Sequence, residues 1–283
     1  MTPGGLFGFT QFEFGFLLGP GDGRYLMRRD PNGDPTRVLV LSTLGAPERR
    51  RLRRGGSKAV DQADPTPVPT SRATLVHAEP FAGEEEAGSW LDEVRRDGDA
   101  QTESVAAALF DLNLVLRFHR AASGDPYARE VARHQALVLR LGYGSGEAVA
   151  YGRFGAAYEI PTAAARRGRR EVLPPQERLA ALVGAKEPLL ACEELVLRAR
   201  ADRSAGRPRE SALQARIALE AMLAEVPAAE GGEGLTDLGS SREAVGEAAN
   251  AALRGDPPEE LQTAVGHAID QMEKVLRRRR AVR

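Results

Sequence analysis

Residues 6–16 read Leu6-Phe7-Gly8-Phe9-Thr10-Gln11-Phe12-Glu13-Phe14-Gly15-Phe16, and five phenylalanines in eleven positions set the character of the chain's first third. Phe7 and Phe9 alternate with small or polar residues, and Phe12, Phe14 and Phe16 alternate in the opposite phase. Alternation with period 2 predicts a β-strand, and the change of phase near Gln11 predicts a one-residue β-bulge there. Working outward, Gly19-Pro20-Gly21-Asp22-Gly23 is a dense turn signal. Arg24-Tyr25-Leu26-Met27-Arg28 then resumes extended structure, so the two strands are expected to pair as a hairpin. Asp30-Pro31-Asn32-Gly33-Asp34-Pro35 marks a second turn, Val38-Leu39-Val40-Leu41 a third strand and Thr74-Leu75-Val76-His77 a fourth. A lone hairpin is marginal in water, so the strands are expected to share one small antiparallel sheet.

Residues 46–72 break that pattern. Arg49-Arg50-Arg51-Leu52-Arg53-Arg54 runs into Gly55-Gly56 and then a stretch punctuated by Pro65, Pro67 and Pro69. Such a composition buries too little apolar surface to offset chain entropy, which predicts a mobile loop. Beyond the acidic Glu84-Glu85-Glu86 the apolar period changes from 2 to 3.6. Val105, Leu109, Leu112, Val115 and Leu116 predict an amphipathic helix over 104–122. Asp125-Pro126 has the form of a helix start, so a further helix is expected through Val131, Leu137, Val138 and Leu141. Later helices are expected at 176–184, 188–204, 208–226, 241–253 and 258–280, with Gly206-Arg207-Pro208 as a sharp turn. The fold class that follows is α+β, with a small N-terminal antiparallel β-sheet followed by a larger α-helical bundle or helical-hairpin array. The expected domains are a β module at 1–82, an acidic linker at 83–100 and a helical domain at 101–283.

Composition narrows the function classes. The 283 residues are 42% hydrophobic and 28% charged with a formal net charge of -1, so the chain as a whole does not attract polyanions. Of 39 basic residues, only Lys58, Lys186 and Lys274 are lysine. Either a GC-rich coding sequence or bidentate recognition of phosphate and carboxylate accounts for the arginine excess. Cys192 is the single cysteine, which excludes an internal disulfide and any multi-thiolate metal site. Its spacing with Val196 and Ala199 places it on an apolar helix face as a small hydrophobe. No secretory leader is legible at the N-terminus and no apolar run is long enough to cross a bilayer, so a cytoplasmic protein that does not bind membrane is expected.

Chemistry-bearing motifs are sparse. Gly142-Tyr143-Gly144-Ser145-Gly146 could cradle phosphate, but it lacks the GxGxxG spacing and a preceding strand, and reads better as a helix C-cap with a turn. His77, His119, His134 and His267 form neither HxxxH nor HExxH, GxSxG is absent, and Glu193 and Glu194 point about 100° apart on a helix. No metal site and no cofactor are expected.

Two local resemblances exist. Ala199, Gly206, Ala218 and Leu219 fall at the small-residue positions of a helix pair that resembles one tetratricopeptide repeat, and no second copy is legible. Arg129-Glu130-Val131-Ala132-Arg133-His134 resembles the Arg-x4-His signature of HEPN-type ribonucleases. That resemblance implies a helix presenting Arg129 and His134 to a scissile phosphate, although Glu130 stands where that family usually has Asn, Asp or His.

Three arginine runs remain, at Arg49–Arg54, Arg166–Arg170 and Arg277–Arg280. Arg49, Arg50, Arg51, Arg53, Arg54, Arg277, Arg278, Arg279 and Arg280 could grip nucleic-acid phosphates, or simply be solvated charge in loops and at a helix C-terminus. With no catalytic couple legible, the expected function is a non-enzymatic protein-protein interaction scaffold or adaptor. Its partner face is expected on the 188–226 helix pair around Leu195, Arg198, Leu213 and Leu219. Nucleic-acid binding through the arginines and a HEPN-like ribonuclease are the alternatives.

Overall fold

The computed structural model describes residues 5–45, 69–161 and 169–282. It is an α+β protein, divided by its internal contacts into two compact units, residues 1–166 and 167–283. That division lies well beyond the boundary near residue 100 that the change in periodicity suggested. The reason is that residues 84–160 fold with the sheet.

The first unit contains β1 (Leu6–Phe14), β2 (Gly23–Met27), β3 (Arg37–Leu44), β4 (Thr70–Phe81), α1 (Glu84–Arg96), α2 (Gly98–Ser123), β5 (Ala136–Ser145), α3 (Gly146–Ala150) and β6 (Ala156–Glu159). The six strands form one antiparallel sheet in the order β2-β3-β4-β1-β5-β6. β1 is therefore a central strand between β4 and β5, and β2 pairs with β3; the expected hairpin of the first two strands does not form.

The phenylalanine phases have a different cause from the one expected. Neither irregularity in β1 lies near Gln11: against β4 the register shifts between Phe7 and Phe9, and against β5 between Glu13 and Phe14. Phe12 and Phe14 join Leu39, Leu41, Ala73, Leu75, Leu139 and Leu141 in one cluster, while Phe7 and Phe9 join Val38, Val40, Val76 and Val149 in another. The two sets occupy opposite faces of the sheet. A central strand with apolar groups on both faces shows both phases in its sequence without any slip.

α2 covers the first of these faces with Val105, Ala108, Leu112 and Leu116. Asp97 caps it, its carboxylate accepting from the N–H groups of Asp99 (2.8 Å) and Ala100 (3.3 Å). The stretch expected as an acidic linker is thus α1 and the first turns of α2. α1 packs Ala87 and Leu91 with Tyr143, Phe81 and Trp90.

The second expected helix is absent: residues 136–145 are strand β5. Asp125 accepts from the Tyr127 N–H (2.9 Å), which makes a local turn and not a helix start. The apolar residues Leu137, Val138, Leu139 and Leu141 suit either period, and pairing with β1 decides between them. Gly142 and Gly144 belong to this strand. A Cβ on Gly142 would lie 2.4 Å from the Ala156 carbonyl oxygen, and one on Gly144 would lie 2.9 Å from Val149 and 3.0 Å from the Phe154 backbone. The glycines admit close backbone approach beside β6; they make neither a C-cap nor a phosphate loop.

The second unit contains α4 (Arg169–Val183), α5 (Ala191–Ser204), α6 (Pro208–Glu225), α7 (Ala228–Gly231), α8 (Glu233–Ser240), α9 (Arg242–Ala252) and α10 (Glu259–Val282). α5 and α6 form a hairpin whose turn carries Gly206 in the left-handed region at φ 64°. Small residues line the crossing, Ala199 against Ala212, Ala215 and Ala218, and Ser211 donates to the Ala199 carbonyl (3.1 Å). Val245, Ala248 and Ala252 of α9 and Val265, Ile269, Met272 and Leu276 of α10 complete one continuous core. No helix among the described residues is long and apolar enough to cross a membrane.

Candidate functional site

The expected catalytic pair does not sit on a helix. Residues 129–132 are irregular and His134 lies in a single 3-10 turn, Arg133–Gln135. Both Arg129 and His134 are exposed, and Glu130 lies 3.7 Å from Arg120. The backbone here is fixed by Asn113 of α2, whose side-chain amide donates to the Val131 carbonyl (2.9 Å) and whose amide oxygen accepts from the Val131 N–H (2.8 Å). The helical frame that the ribonuclease resemblance implies is missing.

The arginine runs divide differently. Arg49–Arg54 lies outside the described residues, as does the expected mobile loop from residue 46 to 68; residues 70–72 belong to β4. In α10 the four arginines point in successive directions about 100° apart. Arg277 approaches Glu273 (3.7 Å), and the Arg278 guanidinium lies against Gly232. Arg279 is buried and donates through Nε to Glu230 (2.8 Å), and Arg280 lies 3.7 Å from Glu193. Arg178 of α4 also donates to Glu193 (2.6 Å). Glu193 is almost fully buried, so its charge requires these partners, and three of the run's arginines are engaged with carboxylates inside the helical unit. Arg279 is thus removed from the surface, while Arg277, Arg278 and Arg280 remain exposed at the end of α10.

The expected partner face is not one surface either. Leu219 is 0% exposed at the centre of the helical core, Leu195 and Leu213 are half-buried against it, and Arg198 is exposed and paired with Glu194 (3.1 Å). α9 and α10 cover the side of the hairpin that would have received a partner. Cys192 is buried in the same core, its N–H donating to Glu225 (2.9 Å). Burial, reinforced by Glu225, pushes its thiol up to about 12, which makes it a poor nucleophile.

Two polar clusters lie on the sheet. On the face bearing Phe9, Glu13 receives Arg72 (2.8 Å) and Arg140 (3.2 Å); Arg140 also reaches Gln11 (3.1 Å) and Glu159 (3.0 Å). Gln11, fully buried, donates to Thr74 (3.0 Å). These residues are cross-strand neighbours on β4, β1, β5 and β6, so register brings them together and their charges and hydrogen bonds satisfy one another. On the opposite face Arg37 pairs with Asp111 of α2 (2.5 Å), beside His77, whose ring stands 6.2 Å from Trp90. Burial, with help from the Arg37 charge, lowers the His77 pKa from 6.5 to about 4, and burial raises that of Asp111. Sequence reading missed this cluster because Arg37, His77 and Asp111 are joined only by strand register and helix docking. Among the described residues no group of histidine, cysteine and carboxylate side chains is arranged to hold a metal ion.

α2 carries the feature that remains. Its core stripe faces the sheet, one flank holds Asp111 on Arg37, and the other holds Asn113 on Val131. On the side opposite the core, at 100° per residue, lie Glu103, Ala107, Phe110, Leu114, Phe118 and Ala121. Phe110 is 51% exposed and Phe118 60% exposed. A helix apolar on both sides belongs in an interior, yet this one has its second side open to solvent. The signal was in the sequence, as Phe110, Leu114 and Phe118 at i, i+4 and i+8, behind the stripe that defined the amphipathic helix.

No family model, no curated protein and no solved structure matches the chain.

Proposed function

We propose that this protein is a non-enzymatic protein-protein interaction module whose docking surface is the outer side of α2. The observation that carries the reading is the pair of exposed rings Phe110 and Phe118, with half-buried Leu114 between them, on a helix whose other sides are all engaged. Aromatic side chains anchor interfaces because they offer large apolar area at little entropic cost, and an exposed apolar helix face is recognised by an apolar groove or a second helix. The sheet and its ion pairs supply rigidity, since Asp111 and Asn113 fix the helix on both flanks.

The test is retention of a partner from native lysate by the full chain and by a Phe110→Ser/Phe118→Ser variant. Both side chains are more than half exposed, so the variant keeps its fold, which circular dichroism and thermal unfolding check. A partner held by the wild type is expected to be lost by the variant. Undiminished retention of that partner would move the docking surface elsewhere.

A further inference from the structure

We infer that the occupant of the outer side of α2 is the same side of a second copy of this chain, laid antiparallel to form a two-fold dimer. This rests on the reading of that side as a docking surface and names its partner. An isologous contact requires a surface complementary to itself after a two-fold rotation, in both size and charge.

The outer side meets that requirement. Its large residues, Phe110, Leu114 and Phe118, occupy the C-terminal half, and small ones, Ala106 and Ala107, the N-terminal half. In an antiparallel pair that sets Phe110 opposite the partner helix's Leu114, Phe118 falls over Ala106 and Ala107 of the other copy, a bulky side chain over a shallow place. The same register brings the edge residue Arg117 opposite the Ala107 turn, one turn from Glu103 of the other copy, within reach of a guanidinium. Glu103 lies on the outer side itself, one turn before Ala107 at the acidic end, where Asp99 begins the helix, and Arg117 and Arg120 mark the basic end. Antiparallel packing therefore sets acid against base twice and opposes the two helix dipoles favourably, whereas a parallel pair would set like against like.

From Glu103 to Ala121 the contact runs about 27 Å at 1.5 Å per residue. One helix-on-helix contact of that length falls in the small-interface class, below ~1,200 Å² in total, so the dimer is weak and concentration-dependent.

Sedimentation equilibrium of the full chain over a range reaching about 1 mM reads this directly. The wild type is expected to pass from monomer to dimer. Phe118→Glu, or independently Phe110→Ser, is expected to weaken association at least tenfold. Glu103→Arg or Arg117→Glu alone weakens it severalfold, and the two together return it to within about threefold of wild type. That recovery is the antiparallel signature, because the two positions lie too far apart on one helix to compensate within a single chain. A chain that stays monomeric throughout, or a dimer indifferent to Phe118→Glu and not rescued by the double reversal, overturns the inference. If the monomeric chain still retains a foreign protein through Phe110 and Phe118, the interaction-module reading stands and only the self-partner falls. If those substitutions change neither self-association nor retention, both fall.

Discussion

At the scale of single residues, His77 shows how burial turns an ordinary side chain into a pH dependence. Its folded pKa of about 4 lies below the unfolded 6.5, so the folded state binds fewer protons between these values. The stability linked to this group is fully present above pH 6.5 and is lost as pH falls through the window from 6.5 towards 4. The slope it contributes is at most about 1.4 kcal/mol per pH unit. Denaturant midpoints measured across that range are expected to fall more steeply for the wild type than for His77→Gln. Equal slopes would show that the imidazole is not held neutral against Trp90 and Arg37. Neither Asp111, within the helix expected over 104–122, nor Arg37, just ahead of the strand expected at Val38–Leu41, carries a local signal of its partner. Their meeting depends on how α2 lies across β3, which no local spacing encodes.

At the scale of elements, β5 is the instructive case. Residues 136–145 carry apolar groups in a run that fits a helix stripe or a buried strand, and Asp125-Pro126 biased the reading towards a helix. The glycines at 142 and 144 hold the deciding information, since a strand beside another backbone needs them and a helix is weakened by them. Gly142→Ala would thrust a methyl group into the Ala156 carbonyl, where only backbone is available to yield. A loss of about 1–3 kcal/mol is expected in denaturant unfolding. Gly21→Ala, whose added methyl meets nothing within 4 Å, is the control that should leave the midpoint in place. α2 teaches the complementary point. Its core stripe was legible from period 3.6, while the opposite stripe acquires meaning only when the flanks and the core side are seen to be occupied.

At the scale of the whole molecule, the core of the helical unit shares no residue with the clusters packed on the sheet. The helical unit draws its core entirely from residues 192–276, from Cys192 to Leu276. A fragment spanning 169–283 is therefore expected to fold alone, with a helical spectrum and a single cooperative thermal transition. A fragment that lacks cooperativity would show that this core depends on the first unit. The α5–α6 hairpin was legible in advance from Gly206 and the alanines, because a tight turn and a close helix crossing impose residue types directly. Its role was not. Leu219 has the spacing of a surface anchor and of a core residue alike, and α9 and α10, distant in sequence, place it inside.

The α+β class, the Phe-rich strand, the burial of Cys192 and the α5–α6 hairpin could all be read from the residues alone. Each follows from local periodicity, turn chemistry or side-chain size. Folding was needed to show that β1 is central with both faces covered, that 136–145 is a strand, that three arginines of α10 serve carboxylates within the helical unit, and that Phe110 and Phe118 of α2 stay exposed. The physical reason is common to all four. Strand order, charge pairing and exposure are properties of which surfaces meet, and those meetings join residues tens of positions apart whose local patterns are compatible with more than one outcome.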